Sequence, residues 1–315
     1  YQKRYEEAKK FLVYNPSINT ANPELSDSLQ NRYAHLFAIR DLFYNVNANE
    51  HYTDSLKSTD YSAFDWESHV YRGDPFSSDG ILGNAEVVEC SNGNIYKVNE
   101  YPVSIYDQFY MKKTSQLTWG MVDNSDNGNT KNCIMPMNEM SQVYTDTVTG
   151  KMTSWKALYM APSTNLVNPQ ATFRISGTLS GKYNLKVVTV PYMLMNHSKF
   201  EEESEDNLKY RFRVNLFQRN EKGEFPAKAE NLYVPGTKTR DFESHDFDGS
   251  NPLDTIDICE INLNHSYYGR TDAGIMLQIV TNVSASNLKK GYTRNMLLQK
   301  IILEPVREDS EESND

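Results

Sequence analysis

The sequence predicts a mainly β protein in which a partial α+β segment is followed by an antiparallel β-sandwich. The clearest signal is the stretch from Gly177 to Pro191, where apolar and polar side chains alternate after a turn at Gly181. One face of this strand carries Tyr183, Leu185, Val187 and Thr189. The same pattern returns in Lys209 to Gln218, Gly274 to Thr281 and Leu297 to Pro305. Half-buried strands need partners, so the second half of the chain is predicted to form one antiparallel sandwich.

The change of pattern near residue 110 predicts two domains. We expect an α+β domain at residues 1–110, a β-sandwich at residues 111–307 and a mobile acidic tail at residues 308–315. The tail reads EDSEESND and has no apolar side chain to bury. We expect the two domains to fold independently and to meet near Met111 to Ser115, because helical patterns end before this segment and strand patterns dominate after it.

Charge and hydropathy exclude some classes of partner. The chain of 315 residues carries a net charge of −10, with a pI near 5.2, so it has no basic stripe for phosphates and nucleic acid is not an expected partner. No apolar run approaches the roughly 20 residues that cross a bilayer. The sequence opens at Tyr1 without a methionine, so we expect that a signal or lipidation segment precedes it.

Two helices are predicted at the start of the chain. In the first, apolar residues recur at helical spacing until Asn15-Pro16 ends the pattern. The second is predicted to begin with Ser26 or Asp27 as its N-cap and to run through Phe43.

A β-hairpin is predicted after a polar loop region. The runs AEVVEC and NIYKVN alternate, and Asn92-Gly93 between them is a strong hairpin signal. Three cysteines, an odd number, argue against a disulfide framework. Cys90 and Cys259 each end an alternating run and are predicted to be small core residues.

The hairpin resembles the end of a fasciclin-like domain. That family closes with a strand of the form found here as NGNIYKVN, from Asn92 to Asn99, and the preceding RDLFYNV resembles its helix-to-strand segment. Tyr96 and Asn45 stand where family members commonly carry histidine, and the segment is short for the complete fold. The resemblance implies a surface lipoprotein of the Bacteroidetes, located at the cell surface or outer membrane and held there by a lipid anchor outside this sequence.

The second half of the chain resembles a galactose-binding-like jelly roll. In that fold a GxYxLxV strand lies early and an LxxIxLxP strand comes last, and here they are GKYNLKV from Gly181 and LQKIILEP from Leu298. Many carbohydrate-binding modules share this layout. The resemblance implies a glycan or a surface protein as partner, although fold alone does not give function.

Three aromatic residues are the candidate ligand-binding groups. Trp155 follows a glycine-containing turn, and Tyr267 and Tyr268 lie in the segment HSYYG, which is predicted to be a loop or strand end where both rings reach one surface. Exposed rings in such loops stack on sugar rings. The alternative is that the three are packing residues, as aromatic residues near strands usually are.

Two Asp-rich stretches have some features of metal-binding loops. The first places Asp123, Ser125 and Asn127 at calcium-loop spacing, but its twelfth position is Ile134 where a bidentate glutamate belongs. The second, from Asp241 to Asp254, has carboxylates without a defined ligand spacing. We therefore predict no metal site and no cofactor, and interpret both stretches as solvated loops.

Together these patterns predict a non-catalytic binding or adhesion protein of the cell surface, with a glycan as its ligand in a polysaccharide-utilisation system. No catalytic triad, phosphate loop or metal-ligand spacing is recognisable in the sequence, so we predict that the protein is not an enzyme. Two alternatives remain open. The protein is a structural spacer or protein-interaction module, or it is a glycan-active hydrolase whose paired carboxylates lie in the loops.

Overall fold

The structure is a computed structural model that describes residues 1–14, 24–39, 42–44, 55–57, 70–72, 74–98, 113–124 and 129–306. Its helices are α1 (Gln2–Phe11), α2 (Glu24–Ile39) and the short α3 (Ala285–Leu288). Its first strands are β1 (Ser55–Lys57), β2 (Val70–Arg72), β3 (Glu86–Cys90), β4 (Gly93–Lys97), β5 (Lys113–Gln116), β6 (Asn138–Thr145), β7 (Met152–Met160) and β8 (Gln170–Ser176). The remaining strands are β9 (Gly181–Val190), β10 (Lys209–Gln218), β11 (Glu230–Asn231), β12 (Phe242–Glu243), β13 (Asp254–Leu263), β14 (Ala273–Thr281), β15 (Tyr292–Thr293) and β16 (Met296–Pro305).

Two six-stranded sheets form a β-sandwich. The first has the order β11-β10-β14-β8, with β12 and β15 also paired to β10. The second has the order β13-β9-β16-β7-β6, with β5 paired to β16. Strand pairs are antiparallel throughout the described part of the chain except for β10 with β15. The prediction of a mainly β, antiparallel protein is confirmed.

The main core lies between the two sheets. Phe173 of β8 and Val214 of β10 pack in one apolar cluster with Leu185 and Ile301 of the opposite sheet. The predicted inward face of β9 is confirmed, because Tyr183, Leu185 and Val187 are at most 3% exposed. Apolar side chains removed from water in this way supply the main driving force for the sandwich.

The outer side of the second sheet is also covered at one end. Val190 is buried there with Met193 and Leu194 of the 3₁₀ turn Tyr192–Met195, which follows β9 directly. This explains why strict alternation in β9 stops after Lys186 and gives way to the run VVTV, in which every residue is buried.

The two N-terminal helices pack against one end of the sandwich. Ala8, Leu12 and Phe37 form a second apolar cluster with Leu179 and Tyr268. Beside this cluster, backbone and hydroxyl groups of the sandwich loops bond to the chain that leaves α1: Ser266 N donates to Val13 O (2.6 Å), and the hydroxyls of Ser180 and Ser266 each donate to Phe11 O (2.8 Å). The helices therefore have direct contact with the sandwich.

The predicted helices are present, with different ends for the second one. α2 begins at Glu24 rather than after Ser26 or Asp27, and it ends at Ile39, so that Phe43 lies beyond it with 62% of its surface exposed. Among the described residues, no helix is both long enough and apolar enough to cross a membrane.

The predicted hairpin is confirmed as β3 and β4, with Ser91 and Asn92 in the two-residue turn. Its apolar side chains stay in contact with water, since Val87 is 49% exposed and Ile95 is 55% exposed. The prediction that Cys90 is a core residue is wrong because neither face of this ribbon is buried, whereas Cys259 is half-buried.

Part of the domain prediction lies outside the described residues, including most of the junction near Met111 and the acidic tail. On the sandwich side of that junction, β5 begins at Lys113 and pairs with the central strand β16. Independent folding of the two parts stays a prediction.

Candidate functional site

The three aromatic side chains predicted to bind a ligand are buried, so the expectation of exposed rings is wrong. Trp155 is 2% exposed, Tyr267 is 2% exposed and Tyr268 is 5% exposed. Trp155 packs on the outer side of the second sheet with Met193 and Leu194, which the 3₁₀ turn after β9 places over it. A ring in this position is not accessible to a sugar and contributes to packing instead.

The two tyrosines are covered by different groups. The ring of Tyr268 contacts α2, with its centroid 5.1 Å from Tyr33 and 5.2 Å from Phe37 in edge-on geometry. The ring of Tyr267 lies under the guanidinium of Arg219, 5.5 Å from the ring centroid. The segment HSYYG is therefore the surface on which the helices pack, which its sequence alone does not indicate.

In the first Asp-rich stretch, the carboxylate of Asp123 forms an ion pair with Arg174. Asp123 is 2% exposed, and its Oδ1 lies 2.8 Å from Nη2 of Arg174. Its other oxygen accepts from Asn129 Nδ2 at 3.3 Å. Residues 125–128 lie outside the described part of the chain.

The second Asp-rich stretch is also tied to basic side chains. Asp241 accepts from Arg211 and Arg213 at 2.7 Å each and from Asn282 at 2.8 Å. Burial alone raises the pKa of the Asp241 carboxyl, but these hydrogen bonds outweigh it and hold the pKa below its usual range. Within the described residues, no group of three or more histidine, cysteine, aspartate or glutamate side chains is arranged to hold a metal ion.

A polar cleft lies at the end of the sandwich opposite the helices. It has a volume of about 90 Å³ and forms where β9 ends and β10 and β13 begin. The residues that line it include Thr189, Tyr192, Lys209, His245, Asp246 and Asp254. The pairing of Thr189 with Asp254 brings the two sides of the cleft together, because it is the last pair at this end of β9 and β13.

Two carboxylates in the cleft each contact a basic side chain. Asp254 holds His245 through both groups of the histidine, with its carboxylate 2.6 Å from Nδ1 and 2.9 Å from the backbone N. Lys209 Nζ lies 2.5 Å from Asp246, and this hydrogen bond raises the pKa of Lys209. Because Asp254 engages Nδ1, Nε2 is the nitrogen through which the His245 ring can bind a ligand.

One hydroxyl beside the cleft has no partner among the described residues. Thr189 is fully buried, and its Oγ1 makes no hydrogen bond within the described structure. Tyr192 adds a half-buried ring to the same cleft. The site thus combines polar groups with an aromatic surface.

The loop that carries His245 packs against the rest of the sandwich through Phe247 and Gly249. The ring of Phe247 packs edge-on against Phe200, with centroids 5.2 Å apart, and Tyr144 Oη donates to Gly249 O. Gly249 has φ of +85°, and a Cβ there would lie 2.5 Å from Thr147 Oγ1, so this close approach requires glycine. The cleft is therefore built on fixed elements.

Only part of this site is visible in the sequence. The stretch from Asp241 to Asp254, with His245 in it, has the composition of a cation loop. The alternation of side chains along β9 places Thr189 on the inward face. Sequence reasoning missed Tyr192 and Lys209, because no local pattern shows that they meet His245 in space. The one available signal is a hydroxyl at the end of an otherwise largely apolar face.

The fold and the cleft define a two-sheet antiparallel β-sandwich with a small polar site at one end. No protein-family model matches the chain, and no curated protein matches it. Among solved structures, it is similar to the N-terminal CBM22-1–GH10 modules of Clostridium thermocellum endo-1,4-β-D-xylanase 10B, complexed with xylohexaose, at 11% identity and a TM-score of 0.27, over 60% of this chain and 28% of that one.

A second similar structure is the α-L-fucosidase from Vibrio sp. strain EJY3, at 12% identity and a TM-score of 0.20, over 90% of this chain and 46% of that one. The chain spans less than half the length of either structure. At these TM-scores the likeness carries no argument about fold or function.

Proposed function

We propose that this protein is a non-catalytic binding protein of the cell surface and that its sandwich holds a glycan in the end cleft. The observation that supports this best is the composition of the cleft, where the Lys209–Asp246 ion pair and the His245–Asp254 hydrogen bond lie beside the Tyr192 ring. A sugar presents hydroxyls around its edge and C–H groups on its face. Polar side chains and an aromatic ring are the groups that bind these two surfaces.

The position of the cleft also suits a binding role. β9 pairs with β13 from Gly181, near the contact with the helices, to Thr189 in the cleft. Those eight steps of strand correspond to about 26 Å at roughly 3.3 Å per residue. In this proposal a fasciclin-like N-terminal part lies on the membrane side, tethered by a lipid anchor outside this sequence, and a galactose-binding-like jelly roll presents the cleft away from the membrane.

The hydrolase alternative receives less support from the cleft. A glycosidase needs two carboxyl groups on opposite sides of the scissile bond, one of which donates a proton. The two carboxylates that line this cleft are each held by a basic partner, Asp246 by Lys209 and Asp254 by His245. In this proposal the two carboxylates orient their basic partners for ligand binding.

A glycan array followed by calorimetric titration tests the proposal. We expect weak binding by the wild type and about fivefold weaker binding by Tyr192→Ala, the loss of one stacking contact worth about 1 kcal/mol. Tyr233→Ala is the matched control, because that ring is 46% exposed and does not line the cleft. Circular dichroism should show that both variants are folded.

Two results would contradict the proposal. If the wild type binds no glycan, the spacer hypothesis becomes the better account. If purified protein releases reducing ends from the glycans it binds, and a cleft variant such as His245→Ala does not, the protein is a hydrolase.

A further inference from the structure

We propose that three loops at the end of the sandwich opposite the helices form a surface that binds a membrane with anionic headgroups. The loops are residues 129–137, 161–169 and 282–295, and the third borders the cleft, because Gly291 O accepts from Lys209 N at 2.9 Å. Exposed apolar side chains lie among basic residues in these loops. The proposal goes beyond the glycan-binding function and does not depend on it.

Strand pairing and hydrogen bonds place the three loops side by side. The first leads into β6, the second joins β7 to β8, and the third joins β14 to β16, so all three lie at the same ends of paired strands. Between the first and second loops, Ile134 N donates to Ala161 O at 3.0 Å. Between the third and second, Val283 N donates to Asn168 Oδ1 at 3.1 Å. The loops therefore form one continuous surface.

Four large apolar side chains in these loops are exposed to water: Ile134, Met135, Leu166 and Leu288. Leu166 has 89% of its surface exposed, the largest fraction of any large apolar side chain in the described part of the chain. Apolar groups in such positions contribute little to the core. Where several of them share one exposed surface, they mark a contact with a partner molecule or a membrane.

The same loops carry only positive charge, in a chain whose net charge is −10. They contain no aspartate or glutamate, and their basic residues are Lys131, Lys289, Lys290 and Arg294. None of these four forms an ion pair among the residues that the structure describes. Two carboxylates contact the third loop, and both Asp241 and Glu243 are already paired with Arg211. The loop surface is therefore locally basic.

Exposed apolar groups beside lysines without ion pairs fit an anionic lipid surface. The apolar side chains enter the boundary between headgroups and acyl chains, while the lysine ammonium groups stay at the level of the lipid phosphates. A soluble anionic polymer would use the lysines but would leave Leu166 in water. A second copy of the chain has the same net charge of −10, so two copies repel each other.

The position of the surface indicates which membrane it meets. The loops lie at the end opposite the helices, whereas the proposed lipid anchor lies on the helical side. The surface therefore faces a membrane other than the one that holds the anchor, as adhesion to another cell requires.

Vesicle co-sedimentation tests the proposal on the full chain. One set of vesicles contains phosphatidylcholine alone, and the other contains equal parts of phosphatidylcholine and phosphatidylglycerol. The bound fraction is measured at low and at high salt. We expect binding to the anionic vesicles alone, and weaker binding at high salt because salt screens the attraction between lysines and headgroups.

Two variants remove the apolar and the basic contribution separately. Leu166→Gln should weaken vesicle binding by about fourfold for each CH₂ group that the leucine inserts into lipid. The double variant Lys289→Gln, Lys290→Gln should weaken it by about fivefold for each charge removed. All three side chains are exposed, so we expect both variants to fold, and circular dichroism checks this.

Matched controls remove the same kinds of side chain from other loops. Val148→Gln removes an exposed apolar side chain from the turn between β6 and β7. The double variant Lys222→Gln, Lys228→Gln removes two exposed lysines from the loop that follows β10. Both should bind the anionic vesicles as the wild type does.

Several results would overturn the proposal. They are absence of vesicle binding by the wild type, equal binding to both kinds of vesicle, and equal losses in the variants and their controls. Binding to soluble polygalacturonate that the lysine variant loses and Leu166→Gln keeps, without binding to vesicles, would assign the loops to an anionic glycan instead. A dimer in sedimentation velocity that Leu166→Gln dissociates would assign them to a second copy.

The outcomes are also separate from those of the proposed function. Wild-type protein that binds anionic vesicles but no glycan leaves the lipid surface standing and removes the glycan-binding function. Protein that binds a glycan in the cleft but no vesicle does the reverse.

Discussion

Replacing Gly269 by alanine tests whether the helices pack on the sandwich as described. Gly269 follows Tyr268 and has φ of +72°, and a Cβ there would lie 1.7 Å from the hydroxyl oxygen of Tyr33 and 2.1 Å from its ring carbon Cζ. Tyr33 belongs to α2, so the added methyl group cannot be accommodated unless the helix or its tyrosine moves. The substitution therefore acts directly on the contact between α2 and the loop that carries Gly269.

The expected cost has two parts. A residue other than glycine in the left-handed region costs about 1–2 kcal/mol. Displacing Tyr33 also loses its edge-on contact with Tyr268, at 5.1 Å between centroids and 90° between planes, worth about 1 kcal/mol. We expect Gly269→Ala to lower the free energy of unfolding by about 2–3 kcal/mol in total. The half-buried position of Tyr33 lets its ring move away, which limits the cost.

Urea denaturation of a small set of variants isolates the clash. Gly236→Ala is the matched control, because Gly236 has φ of +71° and a Cβ added there would have nothing within 4 Å, so it carries the backbone cost alone. In a double-mutant cycle, Gly269→Ala should cost only about 1–2 kcal/mol when Tyr33 is already alanine. Two results would show that α2 does not pack on this loop. One is an equal loss of unfolding free energy in Gly269→Ala and Gly236→Ala, and the other is that the losses of Gly269→Ala and Tyr33→Ala simply add in the double variant.

Two further predictions concern acid stability and thiol reactivity. Asp241→Asn should cost about 1–2 kcal/mol near neutral pH, and its stability should depend less on pH between about 5 and 2. The reason is that the pKa of Asp241 is lower in the folded than in the unfolded protein. The stabilisation that its carboxylate contributes is therefore present above the unfolded pKa near 4 and is lost as pH falls through the folded pKa. Stability curves that run parallel with pH for the two proteins would contradict this. In a thiol-reagent assay at about pH 8, exposed Cys90 should react first, whereas burial raises the pKa of Cys133 to about 11 and should delay its reaction until unfolding. A fast phase that survives Cys90→Ser would refute the assignment.

Local patterns in the sequence are sufficient for the elements they describe. The alternation around Leu185 identifies the inward face of β9, and Asn92-Gly93 identifies the hairpin, because each depends on side chains within a few residues. The predicted ends of α2 are wrong by two or more residues, since the side chains that fix a helix end are not evident from spacing alone. The correct strand face and hairpin and the wrong helix ends have the same cause, because sequence patterns report only on residues that are close together in the chain.

The candidate site depends on contacts that no local pattern contains. Trp155 is buried by the 3₁₀ turn at Tyr192–Met195, and Tyr268 is buried by α2, more than 200 residues earlier in the chain. An aromatic side chain in a loop-like segment looks available for binding until the elements that cover it are placed. The same long-range packing creates the cleft, by bringing His245 to the end of β9.

The two ends of β9 make separate contacts, and this separation has a consequence for the proposed function. At one end Ser180, next to Gly181, bonds to the chain leaving α1, and at the other end Thr189 lies in the cleft. The ends are about 26 Å apart along a strand at roughly 3.3 Å per residue, and the strand is paired on both sides, by β13 and β16. Changes at sites this far apart without shared partners act independently. If the proposed function is right, substitutions at the contact with the helices should therefore leave the glycan affinity of the cleft unchanged.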